Sequence, residues 1–328
     1  LQRADVVLSG ELSDNLYYMV GGYVKRSPGI RDAGFNSEEG QQFTVNLTKE
    51  FEMGEMNVYS RVTDDHGTWY LPTPLNVEGI DASYTQIGTH NRQASVYFGA
   101  ADQSQSFDFA NGRGWDGHVS GANIKLNFDN GWHLVNRISI TKGEANTYGL
   151  VPNGAAVQLA EVADNGVSAT GAVTGQTYNS DTYVQQIGRW VVLKDIDAFT
   201  NDLALSKSWD KLTTSVGYYT ASTSADDWWT LGNQAYHVLT PGGEMLDGIE
   251  CNTSIEGCGW NYDINSTGDA TTQAFYTAIN YKFNQDLTLD LGLRRENHQV
   301  EYTVDEGLDG KITKAVSFDE SKTSWTTG

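Results

Sequence analysis

Apolar and polar residues alternate at every second position along several stretches of this chain. Between Leu287 and Leu293 every odd position is leucine, whereas the even positions are threonine, aspartate and glycine. Phe43, Val45 and Leu47 alternate with polar residues in the same way. A period of two places successive side chains on opposite faces of a β-strand, while a helix would need a period of about 3.6. The pattern therefore predicts strands with one apolar and one polar face.

The connections between these strands alternate in length. The predicted hairpins, each closed by a short polar turn, cover residues 1–26, 41–65, 116–145, 196–222 and 272–300. The predicted long loops cover residues 27–40, 66–115, 146–195, 223–271 and 301–320. An outer-membrane barrel has this asymmetry, because strands of about 9–11 residues are joined by short turns on one side and long loops on the other. A soluble β-sandwich rarely carries structureless loops of this length.

Charge and hydropathy narrow the functional classes. Asp and Glu number 42 against 21 Lys and Arg, and the resulting net charge of -21 makes nucleic acid a poor partner. Only 39% of residues are hydrophobic, and no run approaches the roughly 18 apolar residues of a membrane-spanning helix. A barrel with a wet interior needs apolar residues on only one face of each strand. A large soluble β-domain would also alternate, but no internal repeat of about 20–50 residues indicates a propeller or solenoid.

The sequence thus predicts an all-β fold, a partial transmembrane, antiparallel, up-and-down β-barrel of ten strands and the start of an eleventh. The chain opens at Leu1 without a signal segment and stops at Gly328 just inside a further strand. We therefore expect residues 1–328 to be part of a single barrel domain within a longer polypeptide.

Short segments in a fixed order along almost the whole chain carry a family resemblance. They are Gly21-Gly22-Tyr23, Gly29 to Phe35 (GIRDAGF), Asn46-Leu47-Thr48, Tyr70 to Leu75 (YLPTPL), Phe199 to Leu205 (FTNDLAL), Ser224 to Trp229 (SADDWW) and Glu320 to Trp325 (ESKTSW). None is diagnostic alone, but the ordered set resembles the barrel of TonB-dependent outer-membrane receptors.

The resemblance implies a 22-stranded barrel around an N-terminal plug, in the outer membrane of a Gram-negative bacterium. It implies uptake of a scarce nutrient, such as a glycan or an iron–siderophore complex, driven by the TonB complex. The sequence departs from the family because no plug precedes Leu1 and only about half of the barrel is present. The expected partners are outer-membrane lipid, a small-molecule or oligosaccharide ligand, and the TonB complex through the missing plug. A passive porin and a small-barrel hydrolase are the alternatives.

Two cysteines lie in the predicted loop 223–271. Cys251 and Cys258 are separated by six residues, and a loop outside the cell would be oxidising enough to keep a disulfide. We therefore expect one bridge that closes a small loop. Two thiols without a nearby histidine make a poor zinc site, and we predict neither a metal nor a cofactor.

Paired acids at strand ends are the best catalytic candidates. Asp64-Asp65-His66 and Asp226-Asp227 could in principle activate water. However, adjacent residues of a strand point to opposite faces and cannot converge on one substrate atom. We predict no catalytic residue and no enzymatic activity.

Aromatic residues interleaved with polar ones in the predicted loops are the strongest functional signal. Flat rings beside hydrogen-bonding groups can bind sugar faces or the aromatic arms of a metal chelate. We expect the run from Asp226 to Trp229 to begin a loop at the rim of the barrel. The candidate ligand-binding residues are Trp69, Tyr70, Trp115, Asp226, Asp227, Trp228, Trp229, Trp260 and Tyr262.

Overall fold

The computed structural model describes residues 1–75, 77–99, 103–163, 169–249 and 261–328, and they form an almost entirely β structure. The strands are β1 (Gln2–Ser13), β2 (Leu16–Ser27), β3 (Glu38–Phe51), β4 (Gly54–Gly67), β5 (Gln93–Phe98), β6 (Gln103–Asp108), β7 (Arg113–Phe128), β8 (Trp132–Gln158), β9 (Thr170–Gly171), β10 (Tyr183–Ser208), β11 (Leu212–Val238), β12 (Leu246–Asp247), β13 (Tyr262–Lys282), β14 (Thr288–Glu306) and β15 (Lys314–Thr327). One helical turn, α1 (Leu159–Val162), and two 3-10 turns, Phe109–Asn111 and Asp129–Gly131, interrupt them. No helix within the described ranges is long and apolar enough to cross a membrane.

Eleven strands form one sheet, in the order β1-β2-β3-β4-β7-β8-β10-β11-β13-β14-β15. Every neighbouring pair is antiparallel, and the five predicted hairpins are confirmed as β1–β2, β3–β4, β7–β8, β10–β11 and β13–β14. In the described part of the chain the sheet is open, with β1 and β15 at its edges. The predicted up-and-down architecture is therefore confirmed.

The predicted strand length is wrong for the middle of the sheet. β8, β10 and β11 have 27, 26 and 27 residues, so much of the predicted loops 146–195 and 223–271 is strand. These extensions no longer alternate clearly between apolar and polar residues, and they therefore resembled loops in the sequence. Their backbone ladders nevertheless continue without interruption from Lys207 to Arg189 on both sides of β10.

One face of the sheet is apolar and exposed near the short turns. Phe43 and Leu47 are 54% and 41% exposed, and Phe199 and Leu203 are 38% and 39% exposed. The strand register places all four on the same face, which we call the apolar face. In water such large apolar side chains would be buried. Their exposure on one face is the arrangement expected of strands that contact lipid.

The opposite face, which we call the polar face, carries hydrogen-bonded and charged side chains. Asp202 accepts a hydrogen bond from the Tyr276 hydroxyl at 2.6 Å, and the Arg137 guanidinium lies 3.7 Å from its other carboxylate oxygen. The Arg294 guanidinium lies 5.2 Å from the ring centre of Tyr219. Such a face suits the wet interior of a barrel.

The long connections pack into a layer over the end of the apolar face that is farthest from the short turns. The β5–β6 hairpin buries Val96 and Phe107 against Ile187 and Val191 of β10. Val191 lies on the same face as Phe199, because β10 has no register shift between them. The apolar face of the sheet is therefore exposed near the short turns, as expected of a surface that contacts lipid, and is covered by protein near the long connections.

Glu244 holds part of this layer together. Its carboxylate accepts hydrogen bonds from the backbone N–H groups of Val173 and Thr174, at 2.9 and 2.8 Å, and from the Tyr178 hydroxyl at 2.8 Å. Burial alone would raise the pKa of Glu244, but these hydrogen bonds and that of the Thr174 hydroxyl outweigh it and lower the pKa to about 2. Gly171 is required beside it, because a Cβ there would lie 2.0 Å from Glu244 Oε1.

We expect Leu203→Arg to destabilise the protein by about 2–4 kcal/mol, because the arginine would enter the lipid-facing band. Urea unfolding of the full-length protein in lipid vesicles measures this. Thr200→Arg, on the polar face of the same strand, is the matched control and should cost much less. Equal destabilisation by the two variants would contradict the assignment of the faces.

We expect Glu244→Gln to loosen the segment 169–178 by about 1–3 kcal/mol, because a neutral amide accepts these hydrogen bonds less strongly. Hydrogen exchange of that segment at neutral pH measures the loss, with the exposed Glu78→Gln as control. Since the pKa of Glu244 is lowered on folding, its stabilisation is present above the ordinary value near 4.5 and is lost as the pH falls toward about 2. Unchanged protection in Glu244→Gln would show that the carboxylate is not required.

Candidate functional site

Three tryptophans meet on the polar face above the lipid-facing band. The ring centres of Trp69 and Trp190 are 5.2 Å apart, and those of Trp190 and Trp229 are 5.6 Å apart. Both pairs are tilted by about 52–53°, an arrangement within the favourable range for aromatic pairs. We call these residues the three-tryptophan cluster.

The strand register builds this cluster. Trp229 pairs with Val192 and Trp190 pairs with Leu231, so the two tryptophans are diagonal neighbours on one face of β10 and β11. On the other side Trp190 pairs with Gly149 of β8. Because glycine has no side chain, the segment after β4 can place Trp69 directly over it. A Cβ at Gly149 would lie 2.9 Å from Cε3 of Trp69.

Charged groups surround the cluster on the same face. The Arg113 guanidinium lies 4.2 Å from the ring centre of Trp69, within cation–π distance. Lys194 forms an ion pair with Asp227 one row nearer the membrane band. The indole N–H of Trp190 is buried without a hydrogen-bond partner among the described residues. The cluster therefore offers flat rings with a cation beside them to a ligand from the polar side.

Trp115 extends this surface. It belongs to β7 and pairs with Ala145, which in turn pairs with Lys194. Its ring covers Gly117 and Gly143, where a Cβ would lie 2.6 and 3.0 Å from Cζ2 of Trp115. Of the residues predicted from the sequence, the structure thus brings five to the polar face: Trp69, Trp115, Asp227, Trp229 and Tyr262.

The remaining predicted residues lie elsewhere. The expectation that Asp226 to Trp229 begin a loop is wrong, because β11 continues to Val238. Asp226 and Trp228 point to the opposite face, and Trp228 packs edge-on against Phe98 with ring centres 4.9 Å apart. Extended backbone turns neighbouring side chains to opposite sides, so the run SADDWW is divided between two surfaces.

Tyr70 and Tyr262 are also outside the cluster. Tyr70 packs against the buried apolar layer, and its hydroxyl donates a hydrogen bond to the Arg31 carbonyl at 3.0 Å. Tyr262 is the first residue of β13, not a loop residue, and is 43% exposed. It pairs with Leu231, the partner of Trp190, and therefore lies on the polar face two strands from Trp190. Trp260, Cys251 and Cys258 lie outside the described residues.

The acidic pair predicted to be unsuitable for catalysis is divided in the same way. Asp65 accepts a hydrogen bond from the Tyr23 hydroxyl at 2.6 Å and pairs with Lys25 at 2.7 Å. Asp64 points to the other face, in register with Asp116. Across the described ranges, no group of three or more histidine, cysteine, aspartate or glutamate side chains could hold a metal ion.

The sequence prediction missed Arg113, Gly149 and Lys194 as site residues. No local pattern marks them, because they join the site only through pairing between strands far apart in the chain. A glycine flanked by aromatic and apolar residues, as in Tyr148-Gly149-Leu150, was the one available signal of a close approach.

We expect Gly149→Ala to displace Trp69 and destabilise the protein by about 1–3 kcal/mol, because the added methyl group overpacks the site. The tryptophan fluorescence spectrum of the folded full-length protein reports the displacement of Trp69. The change of that fluorescence on denaturation measures the loss of stability. Gly154→Ala is not a suitable control because Gly154 has a φ of +74°. Gly188→Ala is better, since the nearest atom to its Cβ is 3.3 Å away. Identical spectra and stability for Gly149→Ala and the native protein would contradict the packing of Trp69 on Gly149.

Neither a protein-family model nor a curated protein matches the sequence. Solved structures do match in fold. The ferric yersiniabactin uptake receptor FyuA from Yersinia pestis is 15% identical, with a TM-score of 0.52, over 99% of this chain and 41% of that one. The ferric-catecholate import receptor Fiu from E. coli K12 is also 15% identical, with a TM-score of 0.52, over 99% of this chain and 45% of that one. BauA, the ferric preacinetobactin receptor from Acinetobacter baumannii, is 12% identical, with a TM-score of 0.51, over 99% of this chain and 42% of that one.

The chain spans less than half the length of each of these three receptors, and at this identity the likeness concerns the fold. Nearly all of the chain aligns with them. The chain therefore has the fold of part of the barrel of TonB-dependent outer-membrane receptors, as its sequence indicated.

Proposed function

We propose that this chain is the ligand-capturing part of a TonB-dependent outer-membrane receptor that takes up a ferric chelate carrying aromatic groups. The observation that supports this most directly is the three-tryptophan cluster with Arg113 beside it. Planar chelating groups can stack on tilted indole rings. Ferric chelates are often anionic, and a guanidinium on the same surface would attract them.

Location on the polar face supports a role in uptake. A ligand that enters the lumen of a barrel meets the polar face, whereas lipid and packed loops cover the other one. Trp69, Trp190 and Trp229 lie above the band of exposed apolar residues, which ends near Phe199. A ligand bound there would stand at the entrance of the lumen, before the membrane-spanning part.

The ligands of the similar receptors support the ligand class. FyuA, Fiu and BauA are each receptors for a ferric compound. A glycan is the alternative ligand, because sugar faces also stack on tryptophan. The net charge of -21 does not favour an anionic ligand by long-range attraction, so local cations such as Arg113 and Lys194 must provide the complementary charge.

The proposal requires the rest of a longer protein. An open sheet edge in lipid would leave backbone groups without hydrogen-bond partners, and the edges at β1 and β15 would therefore pair with further strands. A plug and its contact with the TonB complex would likewise come from outside these residues. Transport is proposed for that complete receptor in the outer membrane.

We expect Trp229→Ala in the purified full-length receptor to weaken binding of its ferric chelate at least about tenfold, because loss of a central tryptophan commonly removes more than about 1.4 kcal/mol. Ferric catecholate, phenolate and hydroxamate chelates, and oligosaccharides, are titrated into the receptor, and binding is measured by the change in its intrinsic fluorescence. Growth on the same iron sources in a deletion strain identifies the transported compound.

Trp228→Phe is the matched control, because Trp228 is adjacent in sequence but packs on the other face. Its affinity should equal that of the native receptor. Binding of oligosaccharides alone would overturn the ferric-chelate assignment, and unchanged affinity in Trp229→Ala would assign the cluster to structural packing.

A further inference from the structure

A cavity lies on the opposite side of the sheet from the three-tryptophan cluster, beneath the layer of long connections. Its volume is about 290 Å³, at the small end of the range for ligand pockets. It is lined by the β5 region, by Arg189 of β10, by His237 of β11, and by Ala172, Val173 and Met245. Arg189 and Trp190 are consecutive in one strand and face opposite sides. The cavity is thus separated from the three-tryptophan cluster by the sheet.

Arg189 has no carboxylate partner among the described residues. Its Nη1 donates to the Ser95 carbonyl at 2.8 Å, and its Nη2 lies 3.3 Å from the Met245 sulfur. Its Nε is buried without any hydrogen-bond partner. A guanidinium removed from water usually pairs with an anion. Arg189 is half-buried, and its partial burial lowers its pKa. No acidic residue lines the cavity in the described part of a chain that has 42 Asp and Glu.

His237 brings a second unused group to the same cavity. It is 1% exposed, and its Nε2 has no partner among the described residues. Burial and then the charge of Arg189 lower the pKa of His237 to about 4, so the ring is neutral at pH 7. Its Nδ1 lies 3.5 Å from the Gly243 carbonyl, which can only accept. In the tautomer that carries its proton on Nδ1, facing this carbonyl, Nε2 offers a lone pair.

Met245 connects the two residues. The Met245 sulfur contacts Arg189, and the Met245 backbone pairs with that of His237. A ligand between them would have to accept a hydrogen bond from a cation and donate one to a neutral imidazole. An oxyanion that retains a hydroxyl satisfies both requirements, whereas a fully deprotonated oxyanion or a diester satisfies only the first.

We propose that this cavity binds protonated phosphate, either as the free ion or as a phosphomonoester, through Arg189 Nε and His237 Nε2. A phosphate oxygen accepts from Arg189, and the P–OH group donates to His237. The charge of the ion compensates the half-buried guanidinium of Arg189. This site is distinct from the proposed ligand-capturing surface and does not depend on it.

Calorimetric titration of the detergent-solubilised full-length protein at pH 6.5 tests the proposal, with inorganic phosphate, glycerol phosphate, sulfate and dimethyl phosphate at equal ionic strength. We expect phosphate to bind at least tenfold more tightly than sulfate, which has no hydroxyl, and than dimethyl phosphate, which is a diester. Preference for glycerol phosphate over inorganic phosphate would identify the ligand as a monoester. Equal binding of phosphate and sulfate, or no binding of phosphate, would overturn the site.

Variants test the two residues separately. Arg189→Gln should weaken phosphate binding at least tenfold, while Arg189→Lys should retain part of it. His237→Phe should remove the preference for phosphate over sulfate, whereas His237→Gln keeps an acceptor and part of the preference. Arg137→Gln, on the polar face, is the control and should bind as the native protein does. If Arg189→Gln does not fold, the comparison of anions on the native protein still decides the question. Native-like affinity in folded Arg189→Gln would refute the role of this residue.

Discussion

Continuous backbone hydrogen bonding between antiparallel strands is the constraint on which the rest of this structure depends. A strand in lipid cannot satisfy its N–H and C=O groups with water, so each one must pair with a neighbouring strand. In the described part of the chain, each of the eleven strands pairs with its neighbours, apart from the outer sides of β1 and β15 and three short register shifts. This pairing also fixes the direction of every side chain, because the period of two assigns neighbouring residues to opposite faces. Polarity, packing and site composition all follow from this register.

The same register serves different purposes along the length of the wall. Near the short turns the apolar face exposes Phe43 and Leu203, in contact with lipid if the barrel lies in a membrane. Farther along, the same face is covered by connections that bury Val191 and Phe107. The polar face carries ionic pairs near the short turns and a tryptophan cluster above them. The long strands extend beyond the band of exposed apolar residues, and the extended part of the sheet has two further surfaces. The polar one carries the three-tryptophan cluster, and the opposite one lines the cavity.

The sequence was sufficient for the fold class, the five hairpins and the number of strands, because alternation and turn chemistry are local signals. It was insufficient for the length of β8, β10 and β11, because polar extensions held by ladder hydrogen bonds lack an apolar stripe. It selected aromatic residues near the candidate site but treated Trp228 and Trp229 as equivalent. It missed Gly149, whose importance arises only because Trp69 packs on it.

By itself, the sequence determined that this chain forms an antiparallel barrel-type sheet with one apolar and one polar face, since these properties depend on neighbours one or two residues apart. Only the tertiary structure decided which aromatic residues share a surface. It also decided that Arg189 and His237 line one cavity, with no acidic residue beside them among those the structure describes. Those relations depend on the register between strands and on how the long connections pack against the wall. They join residues as far apart as Trp69 and Trp229, and no local pattern in the sequence encodes such a distance.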